Sequence, residues 1–481
     1  MNPSIRKLTA IIIVMFLTLM AAISYIQFFK APELNADARN VRTLWREFGT
    51  DRGPIIVAGE PIVTSEPFPD EYKFLRTYHQ AELYASITGY FSTTFNSMTG
   101  LEREENAVLG GSDSSLFSQR IERLITGRQP KGGAVSLTIN PQAQKAAWDA
   151  LGDRRGAVVA IEPSTGKILA LVSKPAYNPN SLASRDSNVA NDAWNALNND
   201  PHKPLINRAI GGDLYPPGSV FKVITAAAMI EHLGLNAESV VEAPDSFTPA
   251  GTSHEIFNPY KEKCGDGSGH VPFITALTES CNTPFAIGGT KVGAEKMVDM
   301  AKAFGFNQKL SIPLPVTPSQ FPYPEDSAAL AMDSFGQRDI ETSPLAMAMV
   351  ASAVANNGVL MKPYLVDQTL TADLGVLSET QPSELSTPIS PSTADILRTM
   401  MINVVNHGTG VNAGLKNTQI AGKTGTAEIG TGGDAHAWFI GFDAVEHPQV
   451  AVAVVVEEGQ SGSKVAAPIA QRVFSAVLNR D

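Results

Sequence analysis

The stretch from Tyr215 to Gly234, YPPGSVFKVITAAAMIEHLG, sets a serine three residues before a lysine, Ser219 and Lys222. Pro216, Pro217 and Gly218 force a turn, and Gly234 is a helix stop signal. Between them run helix formers with an apolar stripe at Val223, Ala226, Ala227 and Ile230. Ser219 is therefore expected at a helix N-terminus, with Lys222 on the same face. Free backbone N–H groups and the positive end of the helix dipole favour an oxyanion beside the serine and disfavour a charged ammonium. A lysine in so apolar a helix is desolvated toward its neutral form, which can take a serine's proton. The competing reading is an N-cap serine and a surface lysine. The S-x-x-K spacing alone decides nothing, because Ser4/Lys7, Ser164/Lys167 and Ser461/Lys464 repeat it. Those copies fall on the N-terminal flank, in a hairpin turn and in a glycine-rich loop, where nothing fixes two side chains together.

Two further patterns follow in order. Ser280-Cys281-Asn282 is an S-x-N triplet, and Lys423-Thr424-Gly425-Thr426 opens on a K-T-G triplet. Each is weak alone, since Ser280/Asn282 could be a turn and Lys423 an exposed strand residue. The ordered set S-x-x-K, S-x-N, K-T-G is shared by class A β-lactamases and penicillin-binding proteins.

The surroundings of these motifs predict an α+β fold. GAVVAIEPSTGKILALVS, from Gly156, reads as a hairpin of Ala157–Ile161 and Ile168–Val172. TQIAGKTGTAE, AWFIGF and VAVAVVVE read as three C-terminal strands, and APIAQRVFSAVLNR as a last helix. One central antiparallel sheet built from both ends of the domain, flanked by the intervening helices, is expected. Residues 131–481 form this domain, and GRQPKGG from Gly127 is the linker signal before it. Residues 31–130 read as a small mixed α/β region without a large core. They open with a hairpin at Ile55–Val57 and Pro61–Val63, and helical periodicity is apparent only in SSLFSQRIERLITG. That region carries no chemistry of its own and reads as a spacer and docking domain. Residues 243–272, rich in Pro, Gly, Asp and Ser, read as a long ordered loop.

At 481 residues the chain calls for two or three domains. Its net charge of -11 gives no support to nucleic-acid binding. Residues 1–30 differ from the rest. Arg6 and Lys7 precede an uncharged run from Leu8 to Phe29. Such a run spans roughly 33 Å as a helix, enough to cross a bilayer. The basic flank places the N-terminus in the cytoplasm, and Tyr25, Phe28 and Phe29 stand at the far interface. No small-x-small cleavage signal follows, so an uncleaved single-pass anchor with an extracytoplasmic catalytic domain is expected. Cys264 and Cys281 are the only cysteines. In an oxidising compartment, with no other thiol to pair with, they are expected to form a disulfide, two separate thiols being the alternative. Their spacing fits no zinc site, and neither a metal nor a cofactor is expected.

At this point the chain resembles the class B penicillin-binding proteins, which are peptidoglycan D,D-transpeptidases, and among them the actinobacterial penicillin-binding protein A type. RGPI at Arg52, NRAIGGDLYPPGSVFKV, KTGTAE and HAWFIGF carry the likeness from the anchor to the C-terminus. One departure is SFGQRDIETSPLAMA, where many relatives have glycine in place of Arg338. The resemblance implies that Ser219 attacks the penultimate D-Ala carbonyl of a stem peptide, with Lys222 as base. It implies that Ser280 relays protons toward the leaving D-Ala, and that Asn282 binds the substrate backbone. Lys423 and Thr424 would favour the terminal carboxylate, Gly425 would let the peptide approach closely, and the N–H groups of Ser219 and Thr426 would form the oxyanion hole. The implied partners are donor and acceptor stem peptides, β-lactams, the membrane and a membrane glycan polymerase.

Rival readings share parts of this signature. A class A β-lactamase would need a glutamate for deacylation, and no E-x-x-x-N segment stands between Asn282 and Lys423. A D,D-carboxypeptidase has all three motifs and differs only in using water as acceptor. A non-catalytic penicillin sensor would acylate without turnover. Only about 100 weakly patterned residues lie between the apolar run and the catalytic domain, too few for a glycosyltransferase.

Overall fold

Strands from both ends of the C-terminal region meet in one five-stranded antiparallel sheet, as the sequence predicts. Its order is Ile420–Ala427, His436–Asp443, Ala451–Val456, Gly156–Ile161 and Ile168–Lys174. The structure, a computed structural model, describes residues 3–30, 48–116, 131–429 and 433–479. Two of the three inner strands, Ala451–Val456 and Gly156–Ile161, are buried at every residue. They therefore show unbroken β-branched and small apolar runs rather than an alternating pattern. Helices Pro141–Leu151 and Ala467–Leu478 cover one face. Helix Pro344–Ala355, apolar on all sides and wholly buried, lies under the other with helix Lys222–Leu233 behind it. Strand Ile420–Ala427, which carries the K-T-G triplet, is an edge strand of this sheet.

The N-terminal region builds a second sheet, and it does so jointly with the catalytic region. The strand order is Val376–Glu379, Val366–Leu370, Ala134–Leu137, Ile55–Val57, Glu60–Pro67 and Phe74–Tyr78. Ile55–Val57 runs parallel to Ala134–Leu137, and the other pairs are antiparallel. The expected hairpin turn forms at Ala58 and Gly59, both at positive φ (49° and 85°), as a two-residue hairpin loop requires. Ile55, Val63, Tyr84, Ile87 and Leu101 bury into the same core as Val159, Leu171 and Ile210. A region whose sequence shows little core of its own thus borrows one. Helices form earlier here than periodicity indicated, at Ala81–Thr88, Gly100–Glu104 and Asn106–Leu109. They are too short to show a 3.6-residue pattern, and tertiary packing rather than propensity holds them. Of the helix expected in SSLFSQRIERLITG, only the 3-10 turn Ser114–Leu116 is described; the remainder, and the first four residues of GRQPKGG, lie outside the described residues.

Within the N-terminal region a buried ionic cluster ties the strands to the short helices. Glu102 accepts from Arg52 Nη2 at 2.9 Å and from Arg76 Nε at 2.6 Å, and neither guanidinium reaches solvent appreciably. Arg52 also lies 4.2 Å from the centre of the Phe91 ring. Burial raises the Glu102 carboxyl, but the two guanidiniums outweigh it and hold the group below its usual value. Helix Pro3–Tyr25 precedes all of this, with none of its residues buried, and is long and apolar enough to cross a membrane.

Removing the shared anion would leave two buried cations facing each other. Glu102→Ala is expected to destabilise the folded part after the apolar helix by about 3–5 kcal/mol in urea unfolding. Because the folded carboxyl is depressed, its contribution is present above its unfolded value and lost as pH falls through the folded one. The deficit of the variant should therefore shrink in acid. A deficit below about 1 kcal/mol at pH 7 would contradict this account.

Candidate active site

Ser219 sits in the 3-10 turn Gly218–Phe221, one turn ahead of helix Lys222–Leu233. In a 3-10 turn residues three apart eclipse, so the serine and lysine share a face more closely than α-helical spacing would give. The alternative of an N-cap serine is not what forms, since Ser219 makes no capping hydrogen bond among the described residues. The turn is anchored from below. Trp438 Nε1 donates to Pro216 O at 3.1 Å. Tyr215 Oη donates to Glu457 Oε1 at 2.8 Å, and Arg208 Nε donates to the same oxygen at 2.7 Å. Gly218 has φ +56°, and a Cβ there would meet Thr426 O at 2.7 Å. Only glycine lets the nucleophile turn press this closely on the edge strand.

Lys222 is fully buried and is the first residue of its helix. Its Nζ donates to Ser280 O at 2.6 Å and to Asn282 Oδ1 at 2.7 Å, and lies 3.3 Å from Ser280 Oγ. No hydrogen bond to Ser219 Oγ forms among the described residues. Burial, reinforced by the charge of Lys423, pushes the Lys222 ammonium well below its ordinary value. A neutral amine has two hydrogens and a lone pair. The two acceptors use both hydrogens, which leaves the lone pair to act as a base.

Ser280 connects the two lysines. Lys423 Nζ donates to Ser280 Oγ at 2.7 Å and to Thr424 O at 2.8 Å. Ser280 itself is in the left-handed region, φ +61°, sparsely populated for a residue with a side chain. Lys423 is fully buried, and burial brings it down to about 7. It stands behind the cleft wall, whereas Thr424, Gly425 and Thr426 line the cleft together with Ser219, Ser280 and Asn282. The resemblance implied that Lys423 favours the substrate's carboxylate. In the described structure its partners are the Ser280 hydroxyl and the Thr424 carbonyl. The cleft encloses about 820 Å³. Thr409 Oγ1 lies 2.5 Å from Thr424 Oγ1, and Ser461 and Ser463 also line the cleft.

Cys264 and Cys281 are joined, with Cα atoms 5.9 Å apart, so the S-x-N segment is tied to the loop that runs along the cleft. Arg338, where many relatives have glycine, has φ +74°. Glycine suits that backbone without strain; here the arginine is held by Asp339 at 3.2 Å and Glu325 at 3.4 Å.

Trp438, Glu457, Asn258 and Thr409 were not singled out by sequence. Trp438 stands in a segment whose likeness was noted, but its indole bond to Pro216 O has no local signature. The structure brings all the sequence-predicted residues to one place: Ser219, Ser280, Asn282, Thr424, Gly425 and Thr426 on the cleft, Lys222 and Lys423 just beneath it.

If the positive charge of Lys423 helps keep Lys222 neutral, Lys423→Met should raise the Lys222 value. The acid limb of the acylation rate against pH would then move to higher pH. Stopped-flow acylation by penicillin G over a range of pH measures it. A limb that stays in place, or moves down, would contradict the coupling.

The family model described as the penicillin binding protein transpeptidase domain matches residues 156–475. That of the penicillin binding protein A dimerisation domain matches residues 52–135. The chain is 42% identical to the peptidoglycan D,D-transpeptidase PbpA of Mycolicibacterium smegmatis, over 99% of both chains. It is 41% identical to the protein of the same name in Mycobacterium tuberculosis, again over 99% of both. The solved structure of penicillin-binding protein A from M. tuberculosis as a ceftriaxone acyl-enzyme superposes with a TM-score of 0.87 at 41% identity, covering 90% of this chain and all of that one. The penicillin G acyl-enzyme of that protein gives 0.85 at 41% identity, covering 89% and 100%.

Proposed function

Because the chain belongs to the penicillin-binding protein transpeptidases, as a class B peptidoglycan D,D-transpeptidase of the PbpA type, we propose that its acyl group is carried on Ser219 and that the two buried lysines drive the transfer. The observation that supports this most is Lys222: a wholly buried amine, held by two acceptors, one 3-10 turn from the serine.

Ser219 Oγ attacks the carbonyl carbon of the penultimate D-Ala, and its proton passes to the Lys222 lone pair. The oxyanion faces the N–H groups of Ser219 and Thr426, worth roughly 2.7–4 kcal/mol per donor in a comparable site. As the C–N bond breaks, the proton on Lys222 passes through Ser280 Oγ, which Lys423 polarises from behind, to the leaving D-Ala nitrogen, and Lys222 is neutral again. An amine of a second stem peptide then attacks the ester, gives up its proton to Lys222, and restores the Ser219 hydroxyl. In a β-lactam the ring amide takes the place of the scissile peptide bond, so acylation opens the ring and the leaving nitrogen stays attached. The free edge of strand Ile420–Ala427 suits an extended peptide added as a further strand, with Asn282 on the opposite wall. Thr424 and Thr426 offer hydroxyls to the terminal carboxylate in the field of Lys423.

Helix Pro3–Tyr25 is read as a single-pass anchor. Arg6 and Lys7 before it favour a cytoplasmic N-terminus and an extracytoplasmic cleft. Residues 31–130 are read as the spacer and docking part, with a membrane glycan polymerase of the shape, elongation and division family as partner. The shared sheet makes excision of that region a poor test, because it would strip strands from the catalytic body. Co-purification of the full chain with such a polymerase from detergent tests the pairing, and separate elution at micromolar concentration would argue against it.

Ser219→Ala should abolish covalent labelling by penicillin G, read as the mass of the adduct on the intact protein. Stability should change by less than about 1 kcal/mol, since the hydroxyl caps nothing. An adduct of unchanged yield in this variant would remove Ser219 from the role.

A further inference from the structure

Asn258 lies far from the three motifs in sequence, yet its side chain is buried against one of them, at 4% exposure. Its Oδ1 accepts from Asn282 N at 2.9 Å and from Thr283 N at 3.1 Å, and lies 3.2 Å from Thr283 Oγ1. In return Asn282 Nδ2 donates to Phe257 O at 2.7 Å. These bonds fix both the backbone and the amide plane of Asn282. The orientation matters because the other amide atom, Asn282 Oδ1, is one of the two acceptors that hold Lys222 Nζ. Two residues before Asn282, Ser280 adopts its left-handed backbone. Such a conformation persists only where its surroundings over-determine it. The described structure supplies two restraints from the same loop: the bridge from Cys264 to Cys281, and Asn258.

We infer that Asn258 is a positioning residue for acyl transfer, which sets the S-x-N segment so that Asn282 Oδ1 and Ser280 O direct the lone pair of Lys222. It touches neither substrate nor reacting atoms and acts through Asn282. This rests on the transpeptidase reading; wild-type labelling at Ser219 tests that reading separately. The charged neighbours are few. Among the described residues Lys423 is the one charged group acting on Lys222, while His254, Glu255, Lys261, Glu262, Lys263 and Glu279 lie along the cleft lining on the Asn258 side.

The test compares Asn258→Ala and Asn258→Asp in the full chain, reading second-order acylation by penicillin G against pH together with the melting temperature. The alanine variant loses all three contacts to Oδ1, and its acylation rate should fall at least about tenfold at every pH. The aspartate variant keeps an acceptor for both N–H groups. Its second oxygen meets Pro244 O, in place of the 3.4 Å contact from Nδ2, the longest of the set. Above the acid limb its rate should return to within about threefold of wild type. The limb itself should move to higher pH, because a carboxylate behind Asn282 favours the ammonium of Lys222. An alanine variant that is folded and acylates within about twofold of wild type would overturn the inference. So would equal losses in both variants with the limb unmoved, which is the signature of a purely structural role. If the alanine variant does not fold, the aspartate profile decides alone, and a limb at the wild-type pH counts against the inference.

Discussion

Two lysine side chains, buried to zero exposure, share one serine hydroxyl. Most of the cleft's arrangement follows from the difficulty of keeping them there. Two ammonium groups that close, away from water, cannot both keep their charge. The cheaper state leaves Lys222 neutral, between two acceptors, and any remaining charge on Lys423, which donates to Ser280 Oγ and Thr424 O. A base and a cationic hydrogen-bond donor are thereby produced from the same residue type. The difference comes from what each amine faces.

The two sheets serve this arrangement from opposite sides. The five-stranded sheet presents Lys423 on an edge strand whose other neighbours are firmly buried, so the K-T-G backbone is rigid on one side and open on the other. Helix Pro344–Ala355 packs under that sheet, with the helix of Lys222 behind it. The second sheet crosses from the N-terminal region into the catalytic region through strand pairing, and Glu102 between two arginines holds its N-terminal side. What reads in sequence as a spacer shares its core with the catalytic body.

The parts legible in sequence are those whose cause is local. Ser219 and Lys222 are three residues apart, and the turn residues before them and Gly234 after them declare the helix. The strands at Gly156–Ile161 and Ala451–Val456 announce themselves by unbroken β-branched runs. What stayed hidden depends on contacts between distant segments. Lys423 looks from its triplet like a residue for a carboxylate, and only the fold shows it facing Ser280. Asn258 reads as an ordinary turn residue before a proline, and its grip on Asn282 spans a loop whose path sequence does not give. The short helices between Ala81 and Leu109 carry too few residues for periodicity to rise above chance, and they form because the catalytic region covers them.

The central claim is that Lys222 is an uncharged amine in the resting enzyme at neutral pH. Heteronuclear NMR of protein labelled with nitrogen-15 at lysine side chains reads this directly, with Lys222→Arg identifying the resonance. The account predicts an amine nitrogen shift for Lys222 at pH 7, changing to that of an ammonium only in acid. An ammonium signal for Lys222 at pH 7 that persists into the alkaline range would contradict it.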